Sequence, residues 1–260
     1  SSSRPHYTSN AGPFGTTCAT FANSGSFFSS YNEKFDSGTE GITISFWINK
    51  TSEQTSFPGI NDWKYPEGII TRAKLSYDEN APTGHGVNIS QIIGDWGIFA
   101  NPKTNTGEKD ILFYTHVMDL ESDKTIQNEG LTLDLNEWYF IVYTIDTKNK
   151  KTYIRTRKRD DFYGFNSQNI IGQNWQTRTL AEAHPMNSSG QPFYVGYNSS
   201  NSRSLGSSYG ASWRIDDIKI SNIVCSKNAM DQEFVKSYEN YRDLYFQMSA
   251  TTLFTLGMDV

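Results

Sequence analysis

Hydrolysis of a polysaccharide by paired carboxylates needs two acids about 5 Å apart in the retaining geometry, most simply on alternate positions of one strand. No Glu-x-Asp-x-Glu strand occurs among the 260 residues. The nearest acidic groups are Asp119, Glu121 and Asp123, then Asp160-Asp161, then Asp216-Asp217. The first reads as a solvated loop, and the second balances the basic run Arg157, Lys158 and Arg159. The four histidines, His6, His85, His116 and His184, lie far apart, with no Gly-x-Ser-x-Gly or His-Glu-x-x-His context. Cys18 and Cys225 lack zinc-site spacing and leave two readings open, a disulfide tying the chain ends together or two separate buried thiols. The sequence therefore points to binding rather than catalysis.

Aromatic side chains supply the best binding chemistry. Trp63 lies in FPGINDWKYPEG beside Tyr65, Trp175 lies in NIIGQNWQTRT beside Arg178, and Trp96 follows Gly94-Asp95. Sugar rings stack on such aromatic faces while Asn, Gln, Asp and Arg read the hydroxyls, and loops on a rigid scaffold carry such sites. Trp63, Tyr65, Trp96, Trp175 and Arg178 are accordingly the expected ligand-binding residues. At least one of the three tryptophans is expected to fold back into a small buried cluster instead. Trp47, Trp138 and Trp213 sit inside strong strand patterns and are expected to pack.

The elements that would hold these residues are strands. Gly41 to Asn49 alternates Ile42, Ile44, Phe46 and Ile48 against Thr43, Ser45 and Trp47, the period of a strand. Further runs are expected at Gly68–Ala73, His85–Gln91, Trp96–Ala100 and Ile111–Val117, and three more between Leu131 and Lys158. FYVGYN and SWRIDDIKIS supply two others after a polar stretch from Arg159 to Gln191. In the last, Trp213 and Ile215 share one parity and Ile218 and Ile220 the other, so a β-bulge must fall between them. One helix is expected over Ala229–Tyr241, spaced by Met230, Phe234, Val235 and Tyr238, covering a sheet edge or end. These patterns imply an all-β, two-sheet antiparallel sandwich with one short C-terminal helix. One domain is expected over 1–242, with 243–260 a strand-like tail or linker that could meet a neighbouring domain or subunit.

Composition narrows the partners. A net charge of −5 disfavours nucleic acid and anionic membrane, and no apolar run approaches the ~18 residues of a spanning helix. The chain opens Ser1-Ser2-Ser3-Arg4-Pro5 without Met, which implies a removed signal peptide or excision from a longer protein, and hence an extracellular or surface location.

Three stretches read together, GITISFWINK, LDLNEWYFIVYTIDTKNKKTYIRTRK and WRIDDIKISNIVCSKNAMDQEFVKSYENY, resemble the laminin-G-like, concanavalin A-like jelly-roll family. The resemblance covers most of Phe14 to Tyr241. Where the family writes Asn-Gly after its aromatic strand, this chain writes Ile154-Arg155-Thr156-Arg157, a more basic hairpin. The same constellation resembles the lectin-like subdomain of clostridial neurotoxin binding regions. The resemblance implies a jelly roll and, at Asp216 and Asp217, a structural Ca²⁺ site. The other reading of that pair is one Asp capping backbone N–H groups and the other facing water. The leading expectation is a non-catalytic carbohydrate-binding module of a secreted or surface protein. A structural or attachment domain of a viral or phage fibre or adhesin, and a polysaccharide-degrading enzyme, are the alternatives.

Overall fold

The computed structural model describes residues 6–22, 28–32, 41–53, 67–77, 89–101, 109–118, 123–149, 151–159, 176–181, 192–198, 203–206 and 211–236. The expected tail 243–260 lies outside them. The strands are β1 (His6–Thr8), β2 (Cys18–Phe21), β3 (Phe28–Ser30), β4 (Gly41–Lys50), β5 (Glu67–Tyr77), β6 (Ile89–Ala100), β7 (Ile111–Met118), β8 (Asp123–Leu131), β9 (Trp138–Asp146), β10 (Lys151–Lys158), β11 (Gln176–Ala181), β12 (Phe193–Val195), β13 (Tyr197–Asn198), β14 (Arg203–Ser204) and β15 (Trp213–Ser221). Residues 227–236 form the helix α1.

Seven strands form one sheet in the order β1-β2-β15-β4-β9-β10-β11, and six form a second in the order β3-β12-β5-β6-β7-β8. Every paired strand is antiparallel to its neighbour. One cluster of buried side chains joins the two sheets, taking Ile42, Ile44, Phe46 and Ile48 from β4, Ile141 and Tyr143 from β9, and Ile98 and Phe113 from the other sheet. The molecule is thus the expected two-sheet antiparallel sandwich. Trp213 packs in the same core.

β4 and β9 are buried along their whole length, on both faces. A strand apolar on both sides needs cover on both sides. On the outer face of the seven-stranded sheet Trp47, Trp138, Phe140 and Val142 are covered by Phe14, Met230 and Phe234. Trp47 meets Phe14 edge-on at 5.3 Å and stacks with Phe234 at 5.7 Å. The helix therefore lies across a sheet face, not at an edge or end as its position in the sequence suggests. Ser226 caps it, its hydroxyl accepting from the Ala229 N–H at 3.2 Å.

Several strands differ from the sequence reading. Trp96–Ala100 is the second half of the long strand β6, whose described part begins at Ile89. The run LTLDL is the end of β8 followed by a loop, so two strands, not three, lie between Thr132 and Lys158. β8 and β11 fall where polar loops are expected, and β1 to β3 were not anticipated. Among the described residues no helix is long and apolar enough to cross a membrane.

Candidate functional site

The expected binding residues separate. Trp63, Tyr65 and Trp175 lie outside the described residues. Arg178 stands in β11, opposite Ile154 of β10. Trp96 is a correction: it is 0% exposed inside the core, its ring 5.9 Å from Phe193. It lies within a strand rather than at its start, so its side chain packs between the sheets.

A different aromatic group reaches the surface, at the β3–β12 edge. Phe193 points into the core, so Tyr194 takes the outward parity of β12. In a regular strand Tyr197, three residues on, would face the opposite side. Gly196 changes that with a φ of 78°, accepting a hydrogen bond from Leu205 N and donating one to Ile69 O, both at 2.9 Å. The bend brings the rings of Tyr194 and Tyr197 to 5.5 Å. Only glycine suits this position, because a Cβ would approach the Phe21 ring to 2.2 Å. Thr71, opposite Tyr194, donates to the Tyr197 carbonyl at 3.3 Å. Both tyrosines are half-buried. Tyr31, one residue past β3, is 56% exposed, and β3 pairs its Ser29 with Tyr194. Buried Arg72 supports the group from behind, its guanidinium 5.1 Å over the Phe193 ring. Buried Glu67 accepts from Gly206 N at 2.9 Å and holds the following turn. In the sequence FYVGYN has the pattern of a strand, and its interior glycine is the one signal of a bend.

Asp216 and Asp217 occupy the expected bulge. Asp216 pairs with Trp47 and Lys219 with Ser45, so β15 carries an extra residue there, and Asp217 adopts a φ of 47°. Asp216 Oδ2 accepts from the Thr16 hydroxyl at 2.8 Å, and Oδ1 from the Asp217 N–H at 2.9 Å. Burial pushes the Asp216 carboxyl above its usual range against those two hydrogen bonds. Asp217 meets Lys219 at 3.4 Å, and Lys219 reaches Glu233 of α1 at 2.5 Å. A calcium ion takes about 6–8 oxygens. Here both Asp216 oxygens serve O–H and N–H donors, Asp217 faces a lysine, and among the described residues no three His, Cys, Asp or Glu converge. Among the described residues the two carboxylates are thus engaged with protein donors. The loop from Ala11 to Thr16 closes by Gly12 N donating to Thr16 O at 2.8 Å, and Asp216 anchors it through Thr16.

Cys18 is buried in β2 and Cys225 half-buried before α1; both are free thiols. At the opposite end of β4, the buried Lys50 ammonium is satisfied by Glu53 at 2.8 Å and Asp110 at 2.9 Å. Asp110 in turn accepts from Leu133 N at 2.8 Å, so this ion group ties the β8–β9 loop to the sandwich.

No protein-family profile matches the sequence, and no curated protein does either. Among solved structures the chain is similar to the receptor-binding domain of botulinum neurotoxin type G, at 13% identity and a TM-score of 0.48 over 91% of this chain and 45% of that one. It is similar to the botulinum neurotoxin serotype D ligand-binding domain in complex with N-acetylneuraminic acid, at 12% and 0.44 over 84% and 42%. It is similar also to a heptameric SAP-like pentraxin from Limulus polyphemus, at 9% and 0.37 over 75% and 69%. The chain spans less than half the length of the two neurotoxin domains. The likeness is one of fold.

Proposed function

We propose that this domain is a non-catalytic glycan-binding module of a secreted or surface protein. The observation that carries the reading is the tyrosine group at the β3–β12 edge. Tyr194 and Tyr197 are brought together by a glycine bend and left half-open to water, with Tyr31 exposed nearby. Aromatic faces give sugar C–H surfaces a stacking platform, and adjacent hydroxyls and amides give direction. Ser29 and Ser30, both exposed, and Asn32 supply polar groups along the same edge. Trp63 and Trp175 belong to the same proposal as additional stacking residues.

A glycan array probed with the whole chain tests it, followed by the same array with Tyr194→Ala, Tyr197→Ala, Trp63→Ala and Trp175→Ala. The reading expects a defined glycan set bound by the parent and loss of signal in at least the two tyrosine variants at unchanged fold. A folded parent that binds no glycan on a broad array overturns it.

A further inference from the structure

We propose that Arg155, Thr144 and Tyr153, on the outer face of the seven-stranded sheet, bind the oxyanion of an acidic sugar, a carboxylate or a sulfate ester. The sugar as carrier rests on the glycan-binding reading; the oxyanion chemistry rests on the residues below.

The strand β10 and the residue after it hold five cations: Lys151, Arg155, Arg157, Lys158 and Arg159. Arg157 meets Asp231 of α1 at 3.5 Å, both buried, and Lys158 pairs with Asp134. Arg159 donates to the Pro13 carbonyl at 3.5 Å. Arg155 has no carboxylate of its own among the described residues. Its Nη1 reaches the Met230 sulfur at 3.5 Å, a weak acceptor, and its guanidinium lies 4.9 Å over the Tyr153 ring. Its Nε is buried without a partner. Burial draws the Arg155 pKa down against the charges of Tyr153 and Asp231. A desolvated cation without a direct ion-pair partner is costly, and a guanidinium fork matches the two oxygens of a carboxylate or sulfate.

Thr144 supplies the second donor. It stands directly opposite Tyr153, and Arg155 stands opposite Val142, two residues from Thr144 on the same strand. Thr144 and Arg155 are therefore diagonal neighbours on one face, with Cβ atoms roughly 7 Å apart or less. Thr144 is 0% exposed, and its hydroxyl has no partner. The contrast with Thr43, across the strand pair from it, is instructive: that hydroxyl donates to Ile223 O at 2.8 Å and accepts from Cys225 N at 3.0 Å. One O–H and one N–H donor, both withdrawn from water and both lacking an acceptor, sit beside a positive charge that Asp231, itself paired to Arg157, offsets only at a distance. A neutral hydroxyl could accept from both, but only an oxyanion makes both hydrogen bonds charge-assisted and adds the negative charge beside the guanidinium. Met230, in the first turn of α1, brings the positive end of the helix dipole to the same place.

The test is calorimetric titration of the whole chain with methyl glucuronide, glucose 6-sulfate and methyl glucoside, alongside inorganic sulfate. The acidic sugars should bind at least about tenfold tighter than the glucoside. Arg155→Gln should erase that preference, and Thr144→Val, which keeps shape and removes the donor, should weaken acidic binding several-fold with the melting temperature retained. If Arg155→Gln does not fold, Thr144→Val and the parent's own preference decide. Equal binding of acidic and neutral sugars, or acidic binding unchanged in the variants, overturns the proposal. Inorganic sulfate bound in an Arg155-dependent manner while no sugar binds keeps the oxyanion position and removes the glycan reading. Neutral glycans bound through Tyr194 while neither anion binds does the reverse.

Discussion

Trp47 and Tyr194 both stand on outward positions of their strands, yet one is fully buried and the other half-open. The difference lies in what each sheet face carries above it. Over Trp47 the helix and the Ala11–Thr16 loop close a second small core of Phe14, Phe140, Met230 and Phe234. At the β3–β12 edge the described neighbours of Tyr194 are Ser29 of the short strand β3, Thr71 of β5 and the Tyr197 ring, and its own ring is left partly wet. An aromatic residue in a β-sandwich is thus structural or available according to its cover, not its type or its parity. The helix face is closed over its aromatics, and the tyrosine edge is left half-open, as the proposed recognition role requires.

The comparison breaks most sharply at Trp47. Trp47→Ala should cost about 3–5 kcal/mol of folding stability, because it empties a site packed by Phe14, Phe140 and Phe234 on three sides. Denaturant titration measures this, and a loss below about 1 kcal/mol would mean the helix is not the lid described.

A smaller effect is expected at Gly196, the residue that gathers the tyrosines. Gly196→Ala combines a strained backbone with a clash on Phe21 and should destabilise by about 1–3 kcal/mol. It should also separate the Tyr194 and Tyr197 rings, which ring-current shifts in an NMR spectrum would report. Unchanged shifts and stability would show that the bend does not depend on glycine.

The smallest effect belongs to the Thr16–Asp216 anchor. The folded state holds the Asp216 carboxyl above its ordinary range, so protonation favours the folded chain. Its contribution is fully present below the ordinary carboxylate pKa and is lost as pH rises through the raised folded value. Asp216→Asn should therefore flatten that part of the stability profile above about pH 4 and change stability near neutral pH by no more than about 1 kcal/mol. Melting curves of both proteins across that range check it. Calcium should leave both melting temperatures unchanged; a calcium-dependent rise in the parent that Asp216→Asn abolishes would restore a metal site there.

How much of this was legible in the sequence follows from the same contrast. β4, β9 and β15 announce themselves because alternating large apolar residues must face a core, and the Ile215–Ile218 parity change located the bulge that the register shift displays. β8, DKTIQNEGL, and β11, QTRTLA, are polar enough to read as loops; their pairing to β7 and β10 carries them. The helix pattern was visible, but its resting place depended on Trp47 and Phe140 forming an apolar outer face on two different strands. The binding candidates were the least legible. Trp96 resembled a residue at a strand start because Gly94-Asp95 precedes it, while β6 runs through all three, with Gly94 paired to β5 and Trp96 to Thr115 of β7 across an irregularity in the β5 pairing. The tyrosine edge depends on one glycine φ, and Arg155 on partners spread over β9, β10 and α1.

The most direct test of the central claim is to measure glycan affinity and melting temperature together on the parent, Tyr194→Ala and Tyr197→Ala. An engaged aromatic platform predicts an affinity loss of about 1–3 kcal/mol per ring. The accompanying stability change should stay well below the Trp47→Ala loss, since each ring is already half in water. Full glycan affinity in both folded variants, or affinity that falls only in step with unfolding, would contradict the assignment of this edge to recognition.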